Sequence, residues 1–138
     1  MRLVLDTNVL IASLIKDSVT RAILLLPDFE YLLPEFSLEE ITRHWPKIAR
    51  LSGLASEELD LLLSILLESV SVVPMERIVP HLAAAEKLIG ASDPDDVPFV
   101  ALALAEDTDG IWSNDRAFEG LPGIRIWKTT ELKAYLRP

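Results

Sequence analysis

Leu3-Val4-Leu5-Asp6-Thr7-Asn8-Val9-Leu10-Ile11 is the stretch on which the fold turns. Leu3 to Leu5 is a short apolar run and reads as a buried strand. From Thr7 to Lys16 the spacing becomes helical, with Val9, Leu10, Ser13 and Leu14 on related faces. Asp6 stands at the junction. By position it reads equally well as the cap of the helix or as a site residue at the carboxyl end of a strand.

Further along, the same alternation repeats. Residues 20–26 suggest a short helix, and residues 29–33 a second strand closed by Pro34. Residues 37–51 carry an apolar stripe of Leu38, Ile41, Trp45 and Ile48, a helix that Pro46 kinks or divides. Ser56 is expected to cap a helix reaching about residue 69, with Glu57 and Glu58 in its first turn, where negative charge is favoured. Val70 to Val73 is a β-branched strand, and residues 76–89 form a helix delayed by Pro80 and ended by Gly90. Asp93-Pro94-Asp95-Asp96 turns into a very apolar helix over residues 97–106. A strand at residues 110–112 then enters Ser113-Asn114-Asp115, residues 124–127 form a last strand, and residues 129–136 a last helix. Such alternation implies a mainly parallel sheet covered by helices on both faces, a three-layer α/β/α sandwich. Its ligand site is expected beyond the carboxyl ends of the strands, where Asp6 and Asp115 both fall.

Composition narrows the function. A chain of 138 residues, half of them hydrophobic, suits one domain over residues 1–138 with a real core. With no cysteine, disulfides, zinc–thiolate sites and thiol catalysis are excluded. The N-terminal apolar stretch is too short for a signal peptide and no run approaches a membrane span, so the expectation is a soluble, cytoplasmic protein without membrane contact. The net charge of -9 opposes nonspecific binding to nucleic acid, so an enzyme acting there needs a local basic surface, a divalent cation or a partner. Only two Asn occur, Asn8 and Asn114, each close to a candidate aspartate.

The acids carry the chemistry. Asp115 repeats the position of Asp6, directly after a strand, and reads as a turn residue or a site residue. Three acids, Asp93, Asp95 and Asp96, crowd the start of a buried helix, where one suffices as a cap; the others repel unless a cation joins them. Hard oxygen donors of this kind suit Mg²⁺ or Mn²⁺. Glu39 and Glu40 lie early on a helix, and helix phase does not choose between them. Arg43, His44, Lys47 and Arg50 follow on one flank with no acid among them. That flank is either a solvated basic face or a guide for a phosphate backbone.

Taken in order, these pieces resemble the PIN domain family, which includes the toxin nucleases of virulence-associated toxin–antitoxin pairs. The resemblance rests on Leu5-Asp6-Thr7-Asn8-Val9-Leu10-Ile11, a helical Glu followed by an aliphatic residue, Asp96 three residues before Phe99-Val100-Ala101-Leu102-Ala103, and Ser113-Asn114-Asp115-Arg116-Ala117-Phe118. It spans nearly the whole chain and implies a PIN-like, Rossmann-like fold. It implies Asp6, Glu40, Asp96 and Asp115 as catalytic acids holding one or two Mg²⁺ or Mn²⁺ ions. Glu40 is preferred because Ile41 follows it, and Glu39 is the fallback. Thr7, Asn8, Ser113, Asn114, Asp95 and Asp93 become auxiliary residues, with Ser113 where the family usually has Thr. Arg43, Lys47 and Arg50 become candidate RNA contacts. The activity implied is metal-dependent hydrolysis of RNA to leave a 5′-phosphate, by an enzyme that a small antitoxin could regulate.

Rival readings fare worse on the residues. A haloacid-dehalogenase-like phosphatase needs a second acid two residues after Asp6, where Asn8 stands. A phospho-receiver module needs an Asp after the third strand, which ends at Val73-Pro74. A PIN fold used for binding or assembly, with little nuclease activity, remains the alternative. The Leu-rich helix near residues 57–69 covers more than one face, so it is either deeply buried or offers its outer side to a homodimer.

Overall fold

The computed structural model describes residues 1–90 and 94–136. Its strands form one five-stranded sheet in the order β3-β2-β1-β4-β5, every neighbouring pair parallel. The strands are β1 (Arg2–Leu5), β2 (Glu30–Pro34), β3 (Val70–Val73), β4 (Ile111–Trp112) and β5 (Ile126–Trp127). The chain starts at the centre of the sheet and winds outward through β2 and β3. It then returns to place β4 on the other side of β1. The order therefore reverses between β1 and β4, and the carboxyl ends of these two strands flank the crevice where such sheets bind ligands.

Period-two alternation builds the two layers. Leu3, Leu5, Tyr31, Leu33, Trp112 and Trp127 face one apolar cluster, whereas Val4, Leu32, Ile111 and Ile126 face the other. The first cluster is covered by α1 (Thr7–Ile15), α2 (Val19–Leu24), α3 (Phe36–Arg43), α4 (Trp45–Ser52) and α5 (Ser56–Leu66). The second is covered by α6 (Met75–Ile78), α7 (Leu82–Ile89) and α8 (Val97–Ala105). A short α9 (Thr129–Leu132) follows β5. Phe99 to Leu102 of α8 are all buried, as the apolar run demands.

Several elements depart from their sequence-based outlines. The helix over residues 37–51 is two helices that break at His44, with Pro46 in the first turn of α4, where a missing N–H costs nothing. Pro80 does more than delay its helix: a 3-10 turn at Val79–His81 separates α6 from α7. Gly90 ends α7 with φ 77, as a C-terminal glycine does. Ser56 is the first helical residue of α5 and not its cap. The extended residue Ala55 takes that place, and the Glu58 carboxylate accepts from its backbone N–H at 3.1 Å. The last helix shortens to α9 and tightens into a 3-10 turn at Lys133–Tyr135. On α5, Leu59 and Leu66 are buried, but Leu61 is 62% and Ile65 40% exposed, so the deep-burial reading fails for its outer side.

Candidate active site

Strand register brings the first and last acidic motifs together. Leu5 pairs with Trp112, and the Asp6 N–H donates to the Trp112 carbonyl at 3.1 Å. Asp6 and Ser113 are therefore neighbours at the carboxyl ends of β1 and β4. Ser113 is fully buried, and its hydroxyl donates to Asp6 Oδ2 at 2.6 Å while accepting the Asp115 N–H at 3.0 Å. With its proton given to Asp6 and one lone pair taken by the Asp115 N–H, the hydroxyl fixes the Asp6 carboxylate relative to Asp115. Asp6 Oδ1 accepts the Asn8 N–H at 3.2 Å. Asp115 Oδ1 accepts the Ala117 N–H at 2.9 Å, capping a 3-10 turn. Both aspartates thus cap local structure, and both line one cleft.

Thr7 ties the second motif to the first. It is buried, and its Oγ1 lies 2.7 Å from Ser37 Oγ and 3.1 Å from Glu40 Oε1. A hydroxyl has one proton, so the consistent arrangement has Ser37 donating to Thr7 and Thr7 donating to the Glu40 carboxylate. Glu40 is half-buried and faces this network, while Glu39 is exposed. The structure thereby separates two glutamates that helix phase left equivalent. Thr7→Val keeps the shape but leaves the buried Ser37 hydroxyl without its partner. We expect a loss of about 1–3 kcal/mol in urea denaturation; an unchanged midpoint would show that this link holds nothing in place.

The third motif comes in on α8. Asp96 occupies the cap position of that helix, half-buried, and its side chain makes no capping bond. Asp95 is exposed in the preceding turn, close enough to Glu40 to repel it. Asp93 lies outside the described residues. An aromatic row fixes this arrangement. The rings of Phe36 and Phe99 are 5.6 Å apart, and those of Phe99 and Phe118 6.3 Å. Phe36, Phe99 and Phe118 belong to the segments that carry Glu40, Asp96 and Asp115, so their packing sets the spacing of those acids.

Burial and neighbouring acids act on two carboxyls of the site. Burial pushes the Asp6 carboxyl above its ordinary range, and the charge of Asp115 adds to this, against the hydrogen bonds from Ser113 and Asn8. Burial also pushes Glu40 up, with repulsion from Asp95 and Asp6, against the Thr7 hydrogen bond and the charge of Arg43. Asp6 thus connects electrostatically to both Asp115 and Glu40, and Glu40 to Asp95. None of the ion pairs among the described residues involves Asp6, Glu40 or Asp115. The donor set is all hard oxygen, which suits Mg²⁺ or Mn²⁺ in its chemistry. Among the described residues, no three of the acids or histidines stand close enough to hold an ion as placed.

A cleft of about 220 Å³ opens over Asp6 and Asp115, lined also by Asn8, Val9, Ala12, Thr20 and Asn114. It is smaller than the roughly 300–1,000 Å³ pockets that enclose a small-molecule ligand. A single phosphate group is a better match in size. Asn114 borders this cleft, but its amide is used structurally: Nδ2 donates to Thr129 Oγ1 at 2.9 Å, and Oδ1 accepts the Thr129 N–H at 3.0 Å. Trp112 Nε1 donates to the same hydroxyl at 3.0 Å, so Thr129 anchors β4 to the start of α9. Neither Thr129 nor Ser37 was among the sequence candidates. Ser37 carried one signal, the Ser-x-x-Glu spacing to Glu40. Arg43, Lys47 and Arg50 are all exposed on α3 and α4, outside the acid cluster.

Among the described residues, no helix is long and apolar enough to cross a membrane. No curated protein matches the chain. The model of the PIN domain, a family whose members are generally nucleases, matches residues 4–137. With its parallel sheet and its reversal of strand order between β1 and β4, the chain belongs to the PIN domain family.

Proposed function

We propose that this chain is a metal-dependent endoribonuclease whose site is formed by Asp6, Glu40, Asp96 and Asp115. The observation that supports it most is the buried Asp6 carboxylate, oriented by Ser113, repelled by Asp115 and in no ion pair among the described residues. A buried, uncompensated anion is costly unless something offsets its charge. Mg²⁺ or Mn²⁺ fits that need, with the four acids as its holders. When bound, one or two ions would supply an activated water and charge neutralisation at the phosphodiester. The chain's own part is orientation. Ser113 fixes Asp6, Thr7 fixes Glu40, and exposed Asn8 borders the cleft where substrate would lie. Asp95 adds negative charge beside Glu40. Arg43, Lys47 and Arg50 would draw RNA toward a protein of otherwise acidic surface, and the product would carry a 5′-phosphate.

A role as the toxin of a toxin–antitoxin pair in the cytoplasm follows from the family resemblance. A small antitoxin would then lie against the site edge with an arginine facing the acids. The exposed Leu61 and Ile65 of α5 favour a homodimer through that helix. The second reading is a PIN fold that binds RNA or assembles without cutting, and the lack of a closed three-ligand set among the described residues favours it.

The test is cleavage of a mixed RNA pool with Mg²⁺ or Mn²⁺, by wild type and by folded Asp96→Asn, each with an EDTA control. We expect cleavage that requires metal and drops at least about a hundredfold in the variant. Cleavage that persists in EDTA, or equally in the variant, would contradict the metal-dependent acidic site. No cleavage by a folded wild type would favour the binding module.

A further inference from the structure

A second cleft, of about 310 Å³, runs between α1 and α4 and is lined by Asn8, Ile11, Ile15, His44, Lys47, Ile48 and Leu51. Asn8 also lines the acid cleft, so the two depressions meet at that residue. Asn8, Ile11 and Ile15 follow one face of α1, a path of about 10 Å along the helix axis. Lys47 on α4 and His44 at the break before it stand opposite, both exposed. Leu51 is 50% exposed at the far end. The surface thus has an apolar wall left in water, with the Lys47 ammonium and the His44 imidazole at its rim.

The charge around this cleft differs from that of the molecule. The net charge is -9, yet residues 41–56 contain Arg43, His44, Lys47 and Arg50 and no acid. Among the described residues, Arg43, Lys47 and Arg50 form no ion pair. Arg43 is engaged electrostatically with Glu40, while Lys47 lies beside the groove.

We propose that this groove is a nucleotide subsite for single-stranded RNA, receiving the nucleotide next to the cleaved bond. Lys47 and His44 contact its phosphate, the side chains of Ile11, Ile15 and Leu51 pack against sugar and base, and Asn8 hands the backbone on to the acids. Phosphate contacts position a strand without reading its sequence, and an apolar wall accepts any base face. The subsite therefore gives affinity and register more than sequence choice. This inference rests on the endoribonuclease reading for its direction, but its binding surface stands by itself.

Two measurements separate the two. The first is binding of a labelled, mixed-sequence single-stranded RNA in EDTA at low salt. The second is cleavage of the RNA pool with Mn²⁺. The proteins are wild type, Lys47→Ala, Leu51→Asp and, as a control on the opposite face, Lys87→Ala. We expect Lys47→Ala to weaken binding roughly tenfold and to flatten the log–log salt dependence by about 0.7. Leu51→Asp should weaken it at least as much, while Lys87→Ala matches wild type. In cleavage, Lys47→Ala should raise KM and leave kcat near wild type. If wild type cleaves but Lys47→Ala and Leu51→Asp behave like the control, the subsite is wrong and the nuclease stands. If nothing cleaves but binding still depends on Lys47 and Leu51, the subsite stands and the nuclease reading falls. If wild type binds no RNA, the subsite is overturned, whatever else docks there.

Discussion

Gly110→Ala should destabilise the fold by roughly 2–6 kcal/mol, combining backbone strain with overpacking. Gly110 has φ 129, a conformation that residues with a Cβ rarely adopt. An added Cβ would lie 2.1 Å from the Arg125 carbonyl oxygen and 3.2 Å from Trp127 Cδ1. Neither side can yield cheaply. The Gly110 carbonyl accepts the Val4 N–H at 2.9 Å, and the Ile111 N–H donates to that same Arg125 carbonyl at 2.9 Å. Relief of the clash therefore means parting β4 from β1 or from β5. Native domains hold only about 5–15 kcal/mol in total, so the variant should sit near the edge of folding. Urea denaturation followed by circular dichroism measures this, and a midpoint close to wild type would show that the β4–β5 edge yields freely. The damage should reach the acids, because β4 carries Ser113.

Gly110 also opens a region legible in outline only: strands expected at residues 110–112 and 124–127 are present but shorter. Its neighbours Ile111 and Trp112 form a two-residue strand, and Ile126 and Trp127 another. Such strands are too short to show alternation, so the place of β4 comes from β1, more than a hundred residues away, and that of β5 from β4. β1 itself was plain, because a continuous apolar run ending in Asp-Thr-Asn is a local signal. The same holds for the acids: Asp6 and Asp115 each follow their strand directly, and the strand pattern places them. The choice between Glu39 and Glu40 was not local. It depends on which face of α3 meets α1: the Thr7 hydroxyl bonds Glu40, while Glu39 is exposed.

Asn114 depends on the packed sheet in the same way. It borders the cleft over Asp6 and Asp115, and its amide bonds Thr129, 15 residues on, once α9 lies against β4. The split of residues 76–89 was half visible: Pro80 was marked, but apolar spacing reads straight through it. Removing one N–H and crowding the preceding turn is enough to force the 3-10 segment. Residue types thus placed the chemistry near strand ends, while the contacts that orient it needed the packed sheet.

Asp6→Asn should abolish metal-dependent RNA cleavage, by a hundredfold or more, without unfolding the protein. The amide keeps an oxygen to accept the Asn8 N–H, and its NH₂ can donate to the Ser113 hydroxyl, which has lone pairs to accept it. What disappears is the charge. Both Asp6 and Glu40 are raised above their ordinary values of 3.8 and 4.5, so between those values and the raised ones the folded chain holds more protons than the unfolded chain. Stability of the metal-free protein therefore falls as pH rises through that window, and above it the cost of the charged, buried carboxylates is fully present. Asp6→Asn removes one share of that cost. Thermal melts in EDTA should show the variant gaining on wild type from acid toward neutral pH. Added Mn²⁺ at neutral pH should raise the wild-type Tm more than that of the variant. A variant that still cuts RNA like wild type would remove Asp6 from the site. One that is destabilised equally at every pH, with the same response to Mn²⁺, would make Asp6 a helix cap whose charge does no work.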